Sequence, residues 1–136
     1  VSDTDGERRS VVIERDFPYP PEKIWRALTQ PHLIQEWLMK SDFAPVVGRR
    51  FDFSAEWGSV ACQVLELEPY KTLSYSWVAM GLDSVVTFTL TSSGGGTRLR
   101  MEQAGFRPDQ ERAFQGANYG WQQFMGKLGE VLGLNE

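Results

Sequence analysis

Residues 72–103 read TLSYSWVAMGLDSVVTFTLTSSGGGTRLRMEQ. Leu73, Tyr75 and Trp77 alternate with Ser74 and Ser76, and Val86, Phe88 and Leu90 alternate with Thr87, Thr89 and Thr91. Leu99, Met101 and Gln103 do the same with Arg98, Arg100 and Glu102. A period of two is the signature of strands with one buried face. Gly81-Leu82-Asp83 and Gly94-Gly95-Gly96 separate the three runs as turns. Antiparallel hairpins with one dry face fit this pattern better than parallel strands joined by helices.

Downstream, from about Pro108-Asp109, the period becomes helical. With Trp121 at zero and a step of about 100° per residue, Phe114, Ala117, Asn118, Phe124, Met125, Leu128, Val131 and Leu132 fall within about 80° of it. Tyr119, Gln123, Lys127 and Glu130 fall on the far side, so an amphipathic helix of about 25 residues is expected. Upstream, Phe51 and Phe53 alternate with Asp52 and Ser54, and residues 58–67 read as their hairpin partner, closed by the turn Pro69-Tyr70-Lys71. The stretch KSDFAPVVGRR (40–50) reads as a loop. Before it come two short helices, at about 21–29 and 31–38, each opened by a proline, Pro21 and Pro31, where the missing N–H is not needed. Residues 11–17, VVIERDF, form the first strand, with Val11, Ile13 and Phe17 on one side. The expectation is one α+β domain over 11–136, preceded by a flexible lead-in at 1–10. One helix about 10–12 Å wide cannot cover six or seven strands spaced about 4.8 Å apart. Either the sheet curls around the helix or a space remains between them, and such a space, lined by Phe and Trp, is a ligand cavity in prospect.

Composition excludes several function classes. The chain has 136 residues, a single Cys, a single His, 14 basic and 18 acidic residues, and a net charge of −4. One thiol forbids an internal disulfide, one imidazole forbids sites built on several, and neither HExxH nor CxxC occurs, so no metal is expected. An acidic balance, with a pI near 5.1, argues against nucleic acid and anionic membrane. No run approaches about 18 apolar residues and 1–10 has no apolar signal region, so the cytoplasm is the expected compartment.

His32 has no Ser, Cys or paired carboxylate near it in sequence and reads as a surface imidazole. Cys62, in a strand, reads as an inert buried thiol. Gly94-Gly95-Gly96 lacks the Lys-Ser/Thr of a phosphate loop and leads into a strand. Arg98 and Arg100 alternate out of the apolar set and belong to a solvated face. The aromatic set is the sharper case: Phe53, Tyr75, Trp77, Phe88, Phe114 and Trp121 lie on faces that should converge. Gln103 and Asn118 share those faces, and a buried amide needs a partner or a wet cavity. Apolar walls with few convergent polar groups are how small-molecule pockets are built. The expected lining is Trp37, Phe53, Trp77, Phe88, Met101, Phe114, Trp121 and Met125, with Gln103 and Asn118 orienting the ligand. No catalytic residue and no cofactor is expected.

The ordered runs FPYPPEKIWRALTQPHLIQEWL, VVGRRFDF, GSVACQVLELEPYKTLSYSW, TFTLTSSGGGTRLRMEQAGF and GWQQFMGKLGEVL, over residues 11–133, resemble the START-like superfamily. The nearest branch is the bacterial homologues of the activator of the large heat-shock chaperone ATPase. The resemblance implies a helix-grip fold: a curved antiparallel sheet around a long C-terminal helix, with two short helices after strand one. It also implies a range of functions, from lipid and hormone carriers to polyketide cyclases and co-chaperones. Where many relatives carry a His or another hydrogen-bonding residue before the last Gly-Phe, this chain has Gln103, which orients but is no general base near neutral pH. The leading expectation is therefore binding of a small, largely apolar or aromatic molecule. The alternatives are a co-chaperone-like protein-interaction module or stress-response regulator, with a chaperone or other protein as partner, and a cyclase or hydrolase in the same cavity. Monomer and homodimer are both open.

Overall fold

The computed structural model describes residues 9–134, so most of the expected lead-in lies outside the described residues. The elements run β1 (Arg9–Phe17), α1 (Pro21–Thr29), α2 (Pro31–Trp37), β2 (Lys40–Ser41), β3 (Arg50–Ala55), β4 (Gly58–Glu68), β5 (Thr72–Ala79), β6 (Leu82–Ser93), β7 (Gly96–Phe106) and α3 (Glu111–Leu134). All strands join one seven-stranded antiparallel sheet in the order β1-β7-β6-β5-β4-β3-β2. This is the α+β helix-grip architecture expected from the sequence. One correction concerns the stretch 40–50: Lys40 and Ser41 pair with Ser54 and Phe53 as the edge strand β2.

Local chemistry explains the joints. Pro21 and Pro31 each open a helix, and Gln30 between them is extended, so α1 cannot run on into α2. The β6–β7 turn uses Gly94 and Gly95 at φ 54° and 89°, backbone that other residues rarely adopt. At Gly96 the carbonyl oxygen of Phe17 lies where a Cβ would stand, so only glycine admits this approach of β1 to β7. Register shifts at Arg9/Ser10 and Val64/Glu66 bend the sheet.

The inner face follows the period-two reading. Val60, Val64, Leu73, Val86, Phe88, Leu99 and Met101 are buried, with Ile24 and Leu28 of α1 and Ile34 and Trp37 of α2 closing over them. On α3, Trp121, Met125, Leu128, Val131 and Leu132 are buried. The outer face is solvated: Arg98 pairs with Asp16 at 2.9 Å, holding that carboxyl below its ordinary pKa, and Arg100 bridges Glu14 and Glu102. Such exposed pairs contribute little to stability. No helix among the described residues is long and apolar enough to cross a membrane.

Candidate functional site

The helix does not lie flat across the sheet. Its backbone runs along β1 and α2, with shorter contacts to α1 and β7, and makes no approach of similar extent to β3, β4 or β5. At its N-terminal end, Arg9 of β1 pairs with Glu111 and lies 3.8 Å over the Phe114 ring. Gln110 Nε2 donates to the Gly81 carbonyl in the β5–β6 turn at 3.2 Å. Along the first half of α3, Phe114 and Ala117 pack half-buried against the edge of the core and Asn118 is exposed. From Trp121 onward the apolar stripe is sealed.

Side chains therefore close the inner face of β3–β5. Trp77 meets Phe53 and Trp121, each with ring centroids 5.3 Å apart. Trp121 reaches Phe88 at 6.1 Å, and Phe88 reaches Trp37 at 6.3 Å. Met101 lies opposite Phe88 on the neighbouring strand and, like Met125, is fully buried. Eight of the ten residues expected to line a site, Trp37, Phe53, Trp77, Phe88, Met101, Gln103, Trp121 and Met125, are thus buried on facing elements. The other two are placed differently. Phe114 packs edge-on against Phe106 at 5.5 Å, away from the Trp77–Trp121 contact, and Asn118 sits on the exposed rim.

Gln103 is fixed within a buried relay. Trp121 Nε1–H donates to Gln103 Oε1 at 2.7 Å, Gln103 Nε2 donates to Ser84 Oγ at 3.0 Å, and Ser84 Oγ donates to the Trp77 carbonyl at 2.9 Å. The relay ties α3 to β7, β6 and β5 and sets the Trp121 indole. Ser84, 1% exposed, is not marked by the sequence because it falls between the turn Gly81-Leu82-Asp83 and the alternating run that begins at Val86. Trp37 is held likewise, its Nε1–H donating to the Ala27 carbonyl at 2.8 Å.

His32 is exposed on α2. Burial, helped by the charges of Asp52 and Asp42, pushes the Cys62 thiol far up, so it stays protonated. Among the described residues, no three His, Cys, Asp or Glu side chains converge to hold a metal. Open depressions occur elsewhere. A groove of about 640 Å³ runs between the start of α1, the β4–β5 turn and the end of β6, lined by residues such as Pro21, Tyr70, Lys71, Thr89 and Thr91.

Comparison with known proteins agrees with this architecture. The protein MLL2253 from Mesorhizobium loti is 59% identical, over 94% of this chain and 99% of that one, with a TM-score of 0.90. CalU16 from Micromonospora echinospora is 29% identical over 94% and 78%, with a TM-score of 0.80. The Aha1 dimer from Colwellia psychrerythraea, 23% identical over 91% and 96%, shares the fold at a TM-score of 0.81. No curated protein matches the sequence. The family model described as Activator of Hsp90 ATPase homolog 1-like protein matches residues 18–133. With a family match over most of its length and a START-like helix-grip fold, the chain belongs to the Activator of Hsp90 ATPase homolog 1-like family.

Proposed function

We propose that this domain binds a small, largely apolar or aromatic molecule between the sheet and α3, and does so without transforming it. The observation that carries the reading is that aromatic side chains, rather than helix backbone, close the inner face of β3–β5. Side chains rotate on a scale that backbone does not, and each aromatic pair contributes only about 0.5–1.5 kcal/mol beyond its burial. A flat ligand ring inserted between Trp77 and Trp121 replaces that contact with two of the same kind. Phe53, Phe88, Trp37, Met101 and Met125 form the floor, and Phe114 and Asn118 stand at the less buried start of α3. Gln103 acts through Trp121, whose indole it orients. Binding is favoured over a cyclase or hydrolase because the thiol of Cys62 stays protonated and the imidazole of His32 faces solvent.

Titration with N-phenyl-1-naphthylamine, an uncharged apolar dye, tests this. Saturable enhancement of dye emission with quenching of tryptophan is expected, weakened in Trp121→Phe. Absence of saturation up to millimolar dye overturns the reading. A second reading, a protein-docking module for a chaperone or a second copy of the chain, draws on the family description and on the dimer of the Colwellia relative. Trp57 and Met80, 56% and 86% exposed on neighbouring hairpin turns, suit such a contact.

A further inference from the structure

Tyr75 occupies the middle of β5, its ring among those of Phe43, Phe51, Phe53 and Phe88 at centroid distances of 6.3, 5.2, 5.7 and 6.1 Å. The residue is 2% exposed, yet no described residue hydrogen-bonds its hydroxyl. Folded interiors seldom leave such a group idle. The indoles of Trp37 and Trp121, the Gln103 amide and the Ser84 hydroxyl all have protein partners. Every fully occluded side-chain N or O among the described residues has a partner as well. The Tyr75 hydroxyl is therefore not fully occluded: its ring is sealed, while its oxygen keeps contact with space that a water-sized body reaches.

The surroundings define what suits that oxygen. The buried polar side chains among the described residues are Thr29, Ser74, Ser84, Thr97 and Gln103, none of them charged. A carboxylate or ammonium held among these buried rings is penalised by desolvation. Burial also holds the phenol well above its ordinary pKa, so it keeps its proton and donates.

We propose that the Tyr75 hydroxyl is a ligand-binding group of the grip, donating a hydrogen bond to an uncharged acceptor oxygen, such as a ketone carbonyl, on an otherwise apolar ligand. The assignment rests on the reading that the grip binds such molecules, and it adds a polar feature to the ligand.

Benzophenone and diphenylmethane differ by a carbonyl in place of a methylene and serve as the probe pair, titrated by calorimetry into wild type and Tyr75→Phe. The variant is expected to lose about tenfold in affinity for benzophenone, the worth of one hydrogen bond with its buried acceptor left unpaired, while diphenylmethane is unaffected. The carbonyl stretch of bound benzophenone should lie at lower frequency in wild type than in the variant. Because the hydroxyl makes no protein hydrogen bond, the ligand-free variant should melt no lower than wild type. Equal effects on both probes, no effect on either, an unshifted carbonyl stretch, or a less stable ligand-free variant overturns the assignment. If diphenylmethane binds both proteins and the ketone shows no specific loss, only the Tyr75 role fails. If neither probe binds wild type, the grip-binding reading fails with it.

Discussion

Replacing Gln103 by Leu removes the acceptor of the Trp121 indole N–H and the donor to Ser84. Trp121 is 2% exposed, so water cannot take over, and an orphaned buried N–H costs about 1–3 kcal/mol. Ser84 keeps its own bond to the Trp77 carbonyl and loses only an incoming one. Leucine, of similar volume, offsets up to about 1 kcal/mol through added apolar burial. The net loss is about 1–2 kcal/mol, or roughly 3–8 °C in melting temperature for a domain of this size. Trp121→Phe alone leaves Gln103 Oε1 unpaired and opens a hole, at about 2–3 kcal/mol. The double variant has no orphan, so the two single losses should exceed the double loss by about 1 kcal/mol. Urea unfolding followed by circular dichroism, with m-values compared, measures all three. A Gln103→Leu protein within about 0.3 kcal/mol of wild type, or strictly additive losses, refutes the relay.

A methyl group added at Gly116 or Gly120 meets nothing within 4 Å, so Gly116→Ala and Gly120→Ala should each stabilise the fold by about 1 kcal/mol; an unchanged melting temperature counts against this. Because no residue of 111–120 is fully buried, while the stripe from Trp121 onward is, amides 111–120 should exchange by an opening of lower free energy than global unfolding, and bound ligand should slow it; exchange only by global unfolding contradicts a liftable helix. Burial raises the pKa of the Cys62 thiol and the Tyr75 phenol, so above about pH 9 the unfolded chain holds fewer protons than the native one. Stability should then fall with rising pH by about 1.4 kcal/mol per unit for each group ionising only in the unfolded chain. Below that pH these two groups contribute no slope, and Cys62→Ala with Tyr75→Phe should flatten the alkaline limb.

The strands were legible because each long run buries one face: Leu73, Tyr75 and Trp77 against Ser74 and Ser76 admit one register. Edge strand β2 was not, since two residues carry no period and Lys40 and Ser41 pair only because Phe53 and Ser54 are beside them. The helical stripe identified Trp121, Met125 and Leu128 correctly as buried. Its extension to Asn118 takes the stripe as equally buried along its length, whereas at the first turns only Phe114 and Ala117 reach the core and Asn118 stays exposed. By pattern Gln103 reads as a buried amide in need of a partner, but its partners, Trp121 and Ser84, lie 18 and 19 residues away and are chosen by packing. Whether the Tyr75 hydroxyl is paired is equally a property of the folded neighbourhood: by pattern it is one more inward aromatic.

The five tryptophans, at positions 25, 37, 57, 77 and 121, allow the most direct test of binding in the grip. Trp77 and Trp121 are in contact within it, Trp57 is exposed on the β3–β4 turn, and Trp25 meets edge-on Tyr70, which lines the 640 Å³ groove. Assigned indole ¹H–¹⁵N resonances followed during a benzophenone titration separate these places. Binding between sheet and helix shifts the Trp77 and Trp121 signals saturably and together, leaving Trp25 and Trp57 in place. Shifts confined to Trp25 or Trp57, or no saturable shift at all, contradict it.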